Sequence, residues 1–578
     1  MLGFILTILI FIFIMIGIIS SYSKKDEVVV PNNALLYIKL DNPVKDRAPR
    51  NPFENFDIGP YNSFKTMGLN DILRSIEKAT KDPRIKGIYM NLDIVNVGIS
   101  SLDEIRNALL KFKESGKMII TYSEVLSQKA YFLASVSDKI YLNPKGMLDF
   151  RGFNSESVYI KGTLDKLEIK PQILRGSNNE FKSAAEPLIY DKMSEANREQ
   201  IKVYLTSTWD NMITKIADAR KLNVAELNVL VNEMKIQYPE DAFNYHLVDS
   251  LLYMDQVLDD VKSRLGVAKI EDIKHISIAK YKDAHLKGEK LKRKKDKIAV
   301  VYASGDIVPG KGDENTIGSE TFARTIRKAR MDENIKAIVL RVNSPGGSAL
   351  ASEVVWREVR LAKQVKPVVV SMGDLAASGG YYISCAADTI VSEPTTITGS
   401  IGVFGVIYNL KDFFNHKLGM TFDNVKTHEH ADFASMNRPL TEFETHVIQN
   451  YIDNIYSTFK QHVSDGRKLP LEMVDSIARG RIWSGTDAKK LGLVDVIGGM
   501  DDAIKIAAYM AKIKEYKIVP LPKQKDPWEQ IFETLTGDSK ISLMKQELGD
   551  YYDVYEQYKY ALKMNGPQTR MLFVLNLN

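Results

Sequence analysis

Two halves of this chain match each other at a constant spacing, and this internal repeat limits the possible folds more than any other feature. The segment 81–88 matches 331–338, and the segment 131–144 matches 381–394, in both cases with an offset of 250 residues. One offset kept over tens of residues is typical of a duplicated domain. The 578-residue chain is therefore predicted to contain two copies of one unit.

Each copy alternates short apolar runs with segments of helical periodicity. Three runs of the second copy are rich in apolar and β-branched residues, which predicts strands: 298–302, 336–342 and 367–372. The segment 349–363 between two of these runs has the periodicity of a helix. Such alternation is typical of a parallel sheet covered by helices, so we predict an α/β fold. Long helices over 197–221 and 441–467 are expected to close the two copies.

The composition of the chain excludes few classes of function, but it gives no support to some of them. The net charge of +5 is small for this length and gives no reason to expect a nucleic-acid partner. The chain has one cysteine, Cys385, so no intramolecular disulfide is possible. A thiol nucleophile at Cys385 is conceivable, but its position among small residues favours a buried structural cysteine. We expect neither a metal nor another cofactor.

The first apolar segment of the chain is a candidate membrane anchor. Leu2–Ile19 contains only one threonine and two glycines besides large apolar residues. This length is near that needed to cross a bilayer, and it exceeds a typical signal-peptide core. We therefore predict an anchor over 1–23 rather than cleavage at the small residues that end at Ser23. Lys24 and Lys25 would place the main body in the cytoplasm by the positive-inside rule, although long domains can override so small a bias.

The remaining boundaries follow from the repeat and from local composition. The first copy is predicted over 30–283 and the second over 298–520. The basic segment 284–297 between them is expected to be a solvated linker, with contact to anionic lipid headgroups as the alternative. The tail 521–578 ends in the apolar run Met571–Leu577, which is expected to dock on the body at an unspecified place.

Ser378 is the candidate nucleophile of the second copy. It lies between a predicted strand and a predicted short helix over 378–387, and two glycines follow it. A strand-to-helix turn exposes a hydroxyl, and the helix N-terminus favours negative charge there. The glycines let a substrate backbone approach and leave amide N–H groups free for an oxyanion. The alternative is an N-cap serine in a glycine-rich turn.

The two copies have lost different residues. Ser378 corresponds to Gln128 in the first copy, and the glycine-rich loop 343–348 has no glycine pair at the matching position. Conversely, Lys182 of the first copy corresponds to Ala434 of the second, in a segment where the offset between the copies is 252 residues. The first copy therefore lacks a nucleophile and an obvious oxyanion loop, whereas the second lacks the lysine.

A serine needs a base to take its proton. His416, His428 and His430 have no recognisable triad context. A lysine can be the base if desolvation lowers its pKa to roughly 7–8. A single site that takes Lys182 from the first copy would explain the complementary losses, and the alternative is a surface lysine beside Glu186.

Motifs spread over nearly the whole chain resemble those of the signal peptide peptidase A family in its long, duplicated form. This family is a relative of the Clp protease proteolytic subunit and of the crotonase fold. The matching segments are Leu2–Ile19, Phe181–Pro187, Val342–Ser348, Ala376–Tyr382, Thr398–Gly402 and Gly480–Gly485.

The resemblance implies tandem Clp/crotonase-like domains and a membrane-bound serine endopeptidase that degrades remnant signal peptides. It implies that Ser378 is the nucleophile, that Lys182 is the general base and that Ser400 orients this lysine. The amides of Gly347 and Gly379 are implied to form the oxyanion hole.

The resemblance also implies an assembly and a location. It implies a homotetramer with a single-pass anchor in the bacterial inner membrane and the catalytic body outside the cytoplasm. The implied partners are signal peptides, other short hydrophobic peptides and membrane lipid. The alternatives are a crotonase-type acyl-CoA enzyme and a non-catalytic membrane scaffold.

Overall fold

The computed structural model describes residues 28–49, 66–286, 295–524 and 566–570. The predicted anchor over 1–23, most of the basic linker and most of the tail lie outside these ranges. Among the described residues, no helix combines the length and the apolar character that crossing a membrane requires.

The first copy is built on a six-stranded sheet with the spatial order β8-β6-β5-β4-β1-β9, in which all neighbours are parallel. Its strands are β1 (Ala34–Leu40), β2 (Val44–Lys45), β3 (Met67–Gly68), β4 (Ile85–Val95), β5 (Met118–Leu126), β6 (Lys139–Leu148), β7 (Lys170–Arg175), β8 (Ser250–Leu251) and β9 (Lys274–Ser277). Its helices are α1 (Leu69–Lys81), α2 (Ile99–Lys113), α3 (Gln128–Ala134), α4 (Lys161–Lys166), α5 (Glu186–Ile189), α6 (Glu195–Arg220), α7 (Val224–Asn232), α8 (Pro239–Asn244), α9 (Met254–Leu265) and α10 (Ile278–Tyr281).

The second copy is built on an eight-stranded sheet. Its main path is β19-β17-β15-β13-β10-β21, with β16 beside β15 and β20 beside β16. The strands that follow the first copy are β10 (Lys297–Ser304), β11 (Asp306–Val308), β12 (Thr316–Gly318), β13 (Ile335–Ser344), β14 (Gly346–Ser348), β15 (Val368–Ala377), β16 (Thr389–Ser392), β17 (Ile397–Gly399), β18 (Phe404–Asn409), β19 (Ile482–Ser484), β20 (Val496–Ile497), β21 (Lys517–Leu521) and β22 (Gly566–Arg570). The helices are α11 (Ser319–Met331), α12 (Ala349–Lys363), α13 (Gly379–Ser384), α14 (Glu442–Arg467), α15 (Leu471–Ile477), α16 (Gly485–Lys490) and α17 (Met500–Met510).

Matching helices confirm the predicted duplication. Helices α1 and α11 have 13 residues each, and α2 and α12 have 15 each. The long helices α6 and α14 have 26 residues each, and each ends at a lysine in the left-handed conformation, Lys221 and Lys468. The predicted strands and helices of the second copy agree with the observed bounds to within a few residues, except that β15 extends to Ala377 and α13 ends at Ser384.

The central strands of the second copy are continuous apolar runs in the sequence because both faces of their sheet are buried. All but two residues of β15 are buried, because helices cover both faces of the parallel sheet. The strand therefore carries no alternation of polar and apolar residues, and its end at Ala377 is fixed deep in the protein.

A third sheet joins the two copies beside the carboxyl end of β15. Its order is β12-β11-β14-β22-β18-β7. Strand β7 of the first copy pairs antiparallel with β18 of the second over six residues. This pairing brings the chain that follows β7, including Lys182, to the second copy.

A buried charged cluster also joins the copies. Arg341 on β13 donates from Nε to Asp46 at 2.7 Å and from Nη2 to Glu104 at 2.6 Å. All three side chains are buried, and both carboxylates come from the first copy. A buried charge of this kind depends on its partners, so the cluster fixes how the copies dock.

Candidate active site

Ser378 lies at the turn between β15 and α13, where the sequence placed it. Its backbone has φ 55° and ψ −115°, a strained conformation for a residue other than glycine. Its N–H donates to Gly399 O at 2.8 Å, which anchors the turn to β17. The hydroxyl makes no capping hydrogen bond to α13. The N-cap alternative is therefore wrong, because the side chain points elsewhere.

The hydroxyl of Ser378 meets the amine of Lys182. Lys182 Nζ lies within hydrogen-bonding distance of Ser378 Oγ (2.7 Å), Ser400 Oγ (3.0 Å) and Ser400 O (3.1 Å). Lys182 is 1% exposed, and burial lowers its pKa well below the usual value for a lysine. Glu186 instead accepts hydrogen bonds from Ser194 and Asn197. The surface-lysine alternative is therefore wrong.

Contacts from both copies hold the segment that carries Lys182. Gln200 on α6 donates from Nε2 to Phe181 O and to Ser183 Oγ, each at 3.0 Å. Gly480 of the second copy packs so closely that a Cβ there would lie 2.6 Å from Lys182 Cβ and N. Its φ of 75° also favours glycine. Sequence reasoning gave neither Gln200 nor Gly480 a role, although Gly480 begins one of the quoted motifs.

Ser400 follows β17 and contacts Lys182 through both its side chain and its carbonyl. Its φ is 49°, and its N–H donates to Arg481 O at 2.6 Å. The left-handed backbone turns the carbonyl and the hydroxyl toward the same amine. Ser400 is thus placed to fix the direction of the lysine side chain.

The two predicted oxyanion glycines lie on neighbouring backbone segments. Gly347 is buried in β14, and Gly379 is the first residue of α13. A Cβ on the adjacent Gly346 would lie 2.6 Å from Gly379 N, so the loop and the helix start touch. A Cβ on Gly347 would lie 2.1 Å from Ile307 O on β11. Glycines are required here because the backbones approach so closely.

Strand β22 lies beside these glycines and was not predicted there. It pairs antiparallel with β14 on one side and with β18 on the other. Arg570 also lines a cavity of about 10 Å³ with Phe181, Lys182, Ser400 and Gly480. The structure thus places the tail segment Gly566–Arg570 at the site, whereas the run Met571–Leu577, which was expected to dock on the body, lies outside the described residues.

Asp374 is another residue that sequence reasoning missed. Its carboxylate accepts hydrogen bonds from the backbone N–H groups of Ser100 and Ser101 at 2.9 and 3.0 Å and from Ser101 Oγ at 2.6 Å. It therefore caps α2 of the first copy, only four residues before Ser378. This contact fixes the strand that carries Ser378 against the copy that carries Lys182.

The other nucleophile and base candidates lie away from Ser378. Cys385 is buried, and burial raises its pKa to about 12, which leaves the thiol protonated. The structural interpretation of Cys385 is confirmed. His416 is paired with Glu168 on the surface, and none of the three loop histidines hydrogen-bonds Ser378. Within the described ranges, no cluster of His, Cys, Asp and Glu is arranged to hold a metal ion.

A serine hydroxyl in contact with a buried amine, set in an α/β fold, has the arrangement of a serine-dependent hydrolase. Residues 111–268 and 360–514 match the family model described as peptidase family S49, once in each copy. The chain belongs to peptidase family S49 and is a serine peptidase. The acyl-CoA enzyme and scaffold alternatives are therefore wrong.

Relatives extend this similarity over most of the chain. "Protease 4" of Salmonella typhi is 36% identical over 82% of this chain and 77% of its own length. "Protease 4" of Haemophilus influenzae is 32% identical over 98% of this chain and 95% of its own. "Serine protease SPPA, chloroplastic" of Arabidopsis thaliana is 32% identical over 82% and 70%, respectively. The resemblance to the long, duplicated form is confirmed.

Among solved structures, a ClpP1 mutant from Listeria monocytogenes covers 36% of this chain and 94% of its own. The TM-score is 0.25 and the sequence identity is 17%. At that score the likeness carries no argument about the fold or the assembly.

Proposed function

We propose that this protein is a membrane-bound serine endopeptidase that uses a Ser-Lys dyad to degrade remnant signal peptides. Ser378 is the nucleophile and Lys182 is the general base. The observation that carries this proposal is the 2.7 Å contact between Lys182 Nζ and Ser378 Oγ, made by a buried amine. A lysine can accept a proton only when neutral, and burial favours the neutral form.

The reaction proceeds through an acyl-enzyme. The neutral amine takes the proton of Ser378 as the hydroxyl oxygen attacks the substrate carbonyl carbon. The protonated Lys182 then donates to the leaving amine, which restores the base. A water molecule, deprotonated by the same amine, releases the acyl group. The cavity of about 10 Å³ beside Lys182 has the size needed for such a water.

The neighbouring groups orient the base and stabilise charge. Ser400 holds Lys182 Nζ through two contacts and so directs it toward the nucleophile. The amides of Gly347 and Gly379 are proposed to receive the oxyanion of the tetrahedral intermediate. Such a donor is typically worth about 10²–10³ in kcat.

The substrate class is supported by relatives and by the site. A "Putative signal peptide peptidase SppA" of Enterococcus faecium is 32% identical over 39% of this chain. An extended peptide could bind as a strand in the position that β22 takes between β14 and β18, since main-chain hydrogen bonds accept many sequences. Signal peptides and other short hydrophobic peptides are therefore the proposed substrates.

The proposed location and assembly rest on the sequence and the resemblance. Leu2–Ile19 would anchor the chain in the bacterial inner membrane, with the catalytic body outside the cytoplasm and in contact with lipid. The proposed assembly is a homotetramer of tandem Clp/crotonase-like domains. Protease accessibility in spheroplasts would test the orientation, and a body protected until the membrane is broken would contradict it.

A serine-reactive fluorophosphonate probe tests the active-site assignment directly. The wild type should be labelled at Ser378, and Ser378→Ala should lose both labelling and peptide hydrolysis. Ser384→Ala is the matched control, because Ser384 lies on the same short helix but donates only to Gly380 O at 2.6 Å. Labelling of Ser378→Ala at the level of the control would overturn the assignment.

A further inference from the structure

A cavity of about 280 Å³ lies between the two copies, and its lining includes no residue of the candidate active site. Helices α1 and α2 of the first copy form one wall. Glu393 and the start of α17, both from the second copy, form the other. The volume is several times the share of one water molecule in the liquid, about 30 Å³, so a small organic molecule has room there.

Two buried carboxylates, Glu104 and Glu393, form the floor of this cavity. Glu393 is 1% exposed and Glu104 is 4% exposed. A Cβ on Gly499 would lie 2.8 Å from Glu104 Oε2 and 3.0 Å from Glu393 Oε1. Because Gly499 has no side chain, both carboxylates face the cavity that this glycine also lines.

Glu393 has no cation of its own. Among the described residues, its Oε1 has no hydrogen-bond partner, although the side chain is buried. Two cations act on it electrostatically, but Lys215 donates to Asp103 at 2.6 Å and Arg341 is held in the charged cluster described above. A buried carboxylate without a partner is costly, so it either takes up a proton or binds a cation.

The rim of the cavity is also mainly acidic. Its charged side chains are four carboxylates and two lysines: Glu77, Glu114, Asp501, Asp502, Lys81 and Lys111. Lys81 is already paired with Glu77 at 2.8 Å. Leu73 and Ala108 add apolar surface to the lining. Such a lining suits an aliphatic chain that carries ammonium groups, since carboxylates bind ammonium ions through charge-assisted hydrogen bonds.

We propose that this cavity binds a short aliphatic diamine, with one ammonium group on Glu393 and Glu104 and the other at the acidic rim. Within the described ranges no group of ligands is arranged for a metal ion, so an organic cation fits the site better. The bound diamine contacts both copies and stabilises their docking. This inference is independent of the proposed function of Ser378 and Lys182.

Isothermal titration calorimetry of the purified full-length protein with 1,4-diaminobutane at low ionic strength tests the site. The wild type should show saturable binding at one site. Glu393→Gln keeps the shape of the side chain and removes its charge, so affinity should fall about 10–100-fold, as for the loss of a hydrogen bond to a charged group. Glu358→Gln is the matched control, because Glu358 is also buried but pairs with Arg327 outside the cavity. Wild-type affinity in Glu393→Gln, or no saturable binding to the wild type in the millimolar range, would overturn the proposal.

An exposed rim variant keeps the test valid if Glu393→Gln does not fold. Asp501 is exposed at the start of α17, so Asp501→Asn should fold and should bind the diamine several-fold more weakly. Diamine affinity equal to that of the wild type in this variant would contradict the assigned position.

Two further probes identify the chemistry of the ligand. 1,4-Butanediol has the same chain without charge and should not bind, and calcium chloride should not displace the diamine. Binding of the diol with equal affinity would show an apolar cavity only, and tighter binding of calcium would show a metal site, so either result would overturn the diamine assignment.

The pH dependence separates binding at Glu393 from attraction to the rim, whose six charged groups face the same cavity. Burial and the charges of Asp103 and Glu104 raise the pKa of Glu393 well above its usual value. Lys215 and Arg341 act in the opposite direction. A proton and the diamine compete for one carboxyl, so affinity should rise as pH rises through this pKa, and binding should release a proton. Titrations in two buffers of different ionisation enthalpy count that proton, and binding without proton release at any pH would refute the role of Glu393.

Discussion

Replacing Lys182 with methionine isolates the role of the amine. Methionine is unbranched and apolar, so it can fill the buried space without the basic group. General-base catalysis contributes typically 10²–10⁴-fold in rate, which corresponds to about 3–5 kcal/mol of barrier. No other side chain hydrogen-bonds Ser378 Oγ within the described ranges, so we expect a loss in kcat/KM near the upper end.

The assay is hydrolysis of a fluorogenic peptide over a range of pH. Burial lowers the pKa of Lys182, so wild-type kcat/KM should rise with pH as the amine loses its proton and then level off well below pH 10.5. Lys129→Met is the matched control, since burial also lowers the pKa of Lys129 but this lysine corresponds to Gly379 in the other copy. Lys182→Met with activity within tenfold of the wild type, or with an unchanged pH profile, would refute the general-base assignment.

The same substitution should change how stability depends on pH. The pKa of Lys182 is lower in the folded protein than in the unfolded chain, so the unfolded chain binds more protons between the folded pKa and about 10.5. The free energy of unfolding should therefore rise with pH across this window through this group. The contribution is fully present above the unfolded pKa and lost as pH falls through the folded pKa. Denaturant unfolding of Lys182→Met should lack it.

Gly347→Ala should reduce kcat by about 10²–10³, because its Cβ would meet Ile307 O at 2.1 Å and displace the oxyanion loop; unchanged kcat would count against this role. Ser400→Ala removes the hydroxyl contact to Lys182 but keeps the carbonyl contact at 3.1 Å. We expect about a tenfold loss in kcat/KM, smaller than for Lys182→Met, and an equal loss would show that the hydroxyl alone orients the base. Arg341→Met leaves two buried carboxylates without their cation, so unfolding should become easier by about 3–5 kcal/mol in denaturant titrations; an unchanged midpoint would contradict this.

Local sequence signals predicted the elements of the fold well. The strand run before Ser378, the two glycines after it and the helical periodicity of 349–363 each depend on residues close in the chain. Because the two copies match along the sequence, the elements predicted in one copy could also be assigned to the other. Periodicity and turn chemistry act over a few residues, so they are readable without knowledge of the tertiary structure.

The contacts across the chain were less accessible to sequence reasoning. The residues missing from each copy suggested that Lys182 and Ser378 act together. They did not predict the packing that brings the two side chains into contact. That packing needs β7 to pair with β18, and it needs Gly480 against the lysine backbone. The position of β22 in the sheet could not be predicted either, because strand pairing between distant segments leaves little trace in the sequence of either segment alone.

Asp374 shows how the two copies are held together at one shared site. In the second copy, the helix α12 begins beside the oxyanion loop and is capped by its own Ser348. The corresponding helix α2 of the first copy has no side-chain cap of its own, and the carboxylate of Asp374 binds its N-terminal N–H groups instead. A helix N-terminus favours an anion, so the start of α2, which has no glycine pair beside it, receives the carboxylate of Asp374 from the second copy. The contact then fixes β15, and with it Ser378, on the copy that supplies Lys182. The same contact therefore occupies the start of α2 in the first copy and positions the nucleophile of the second.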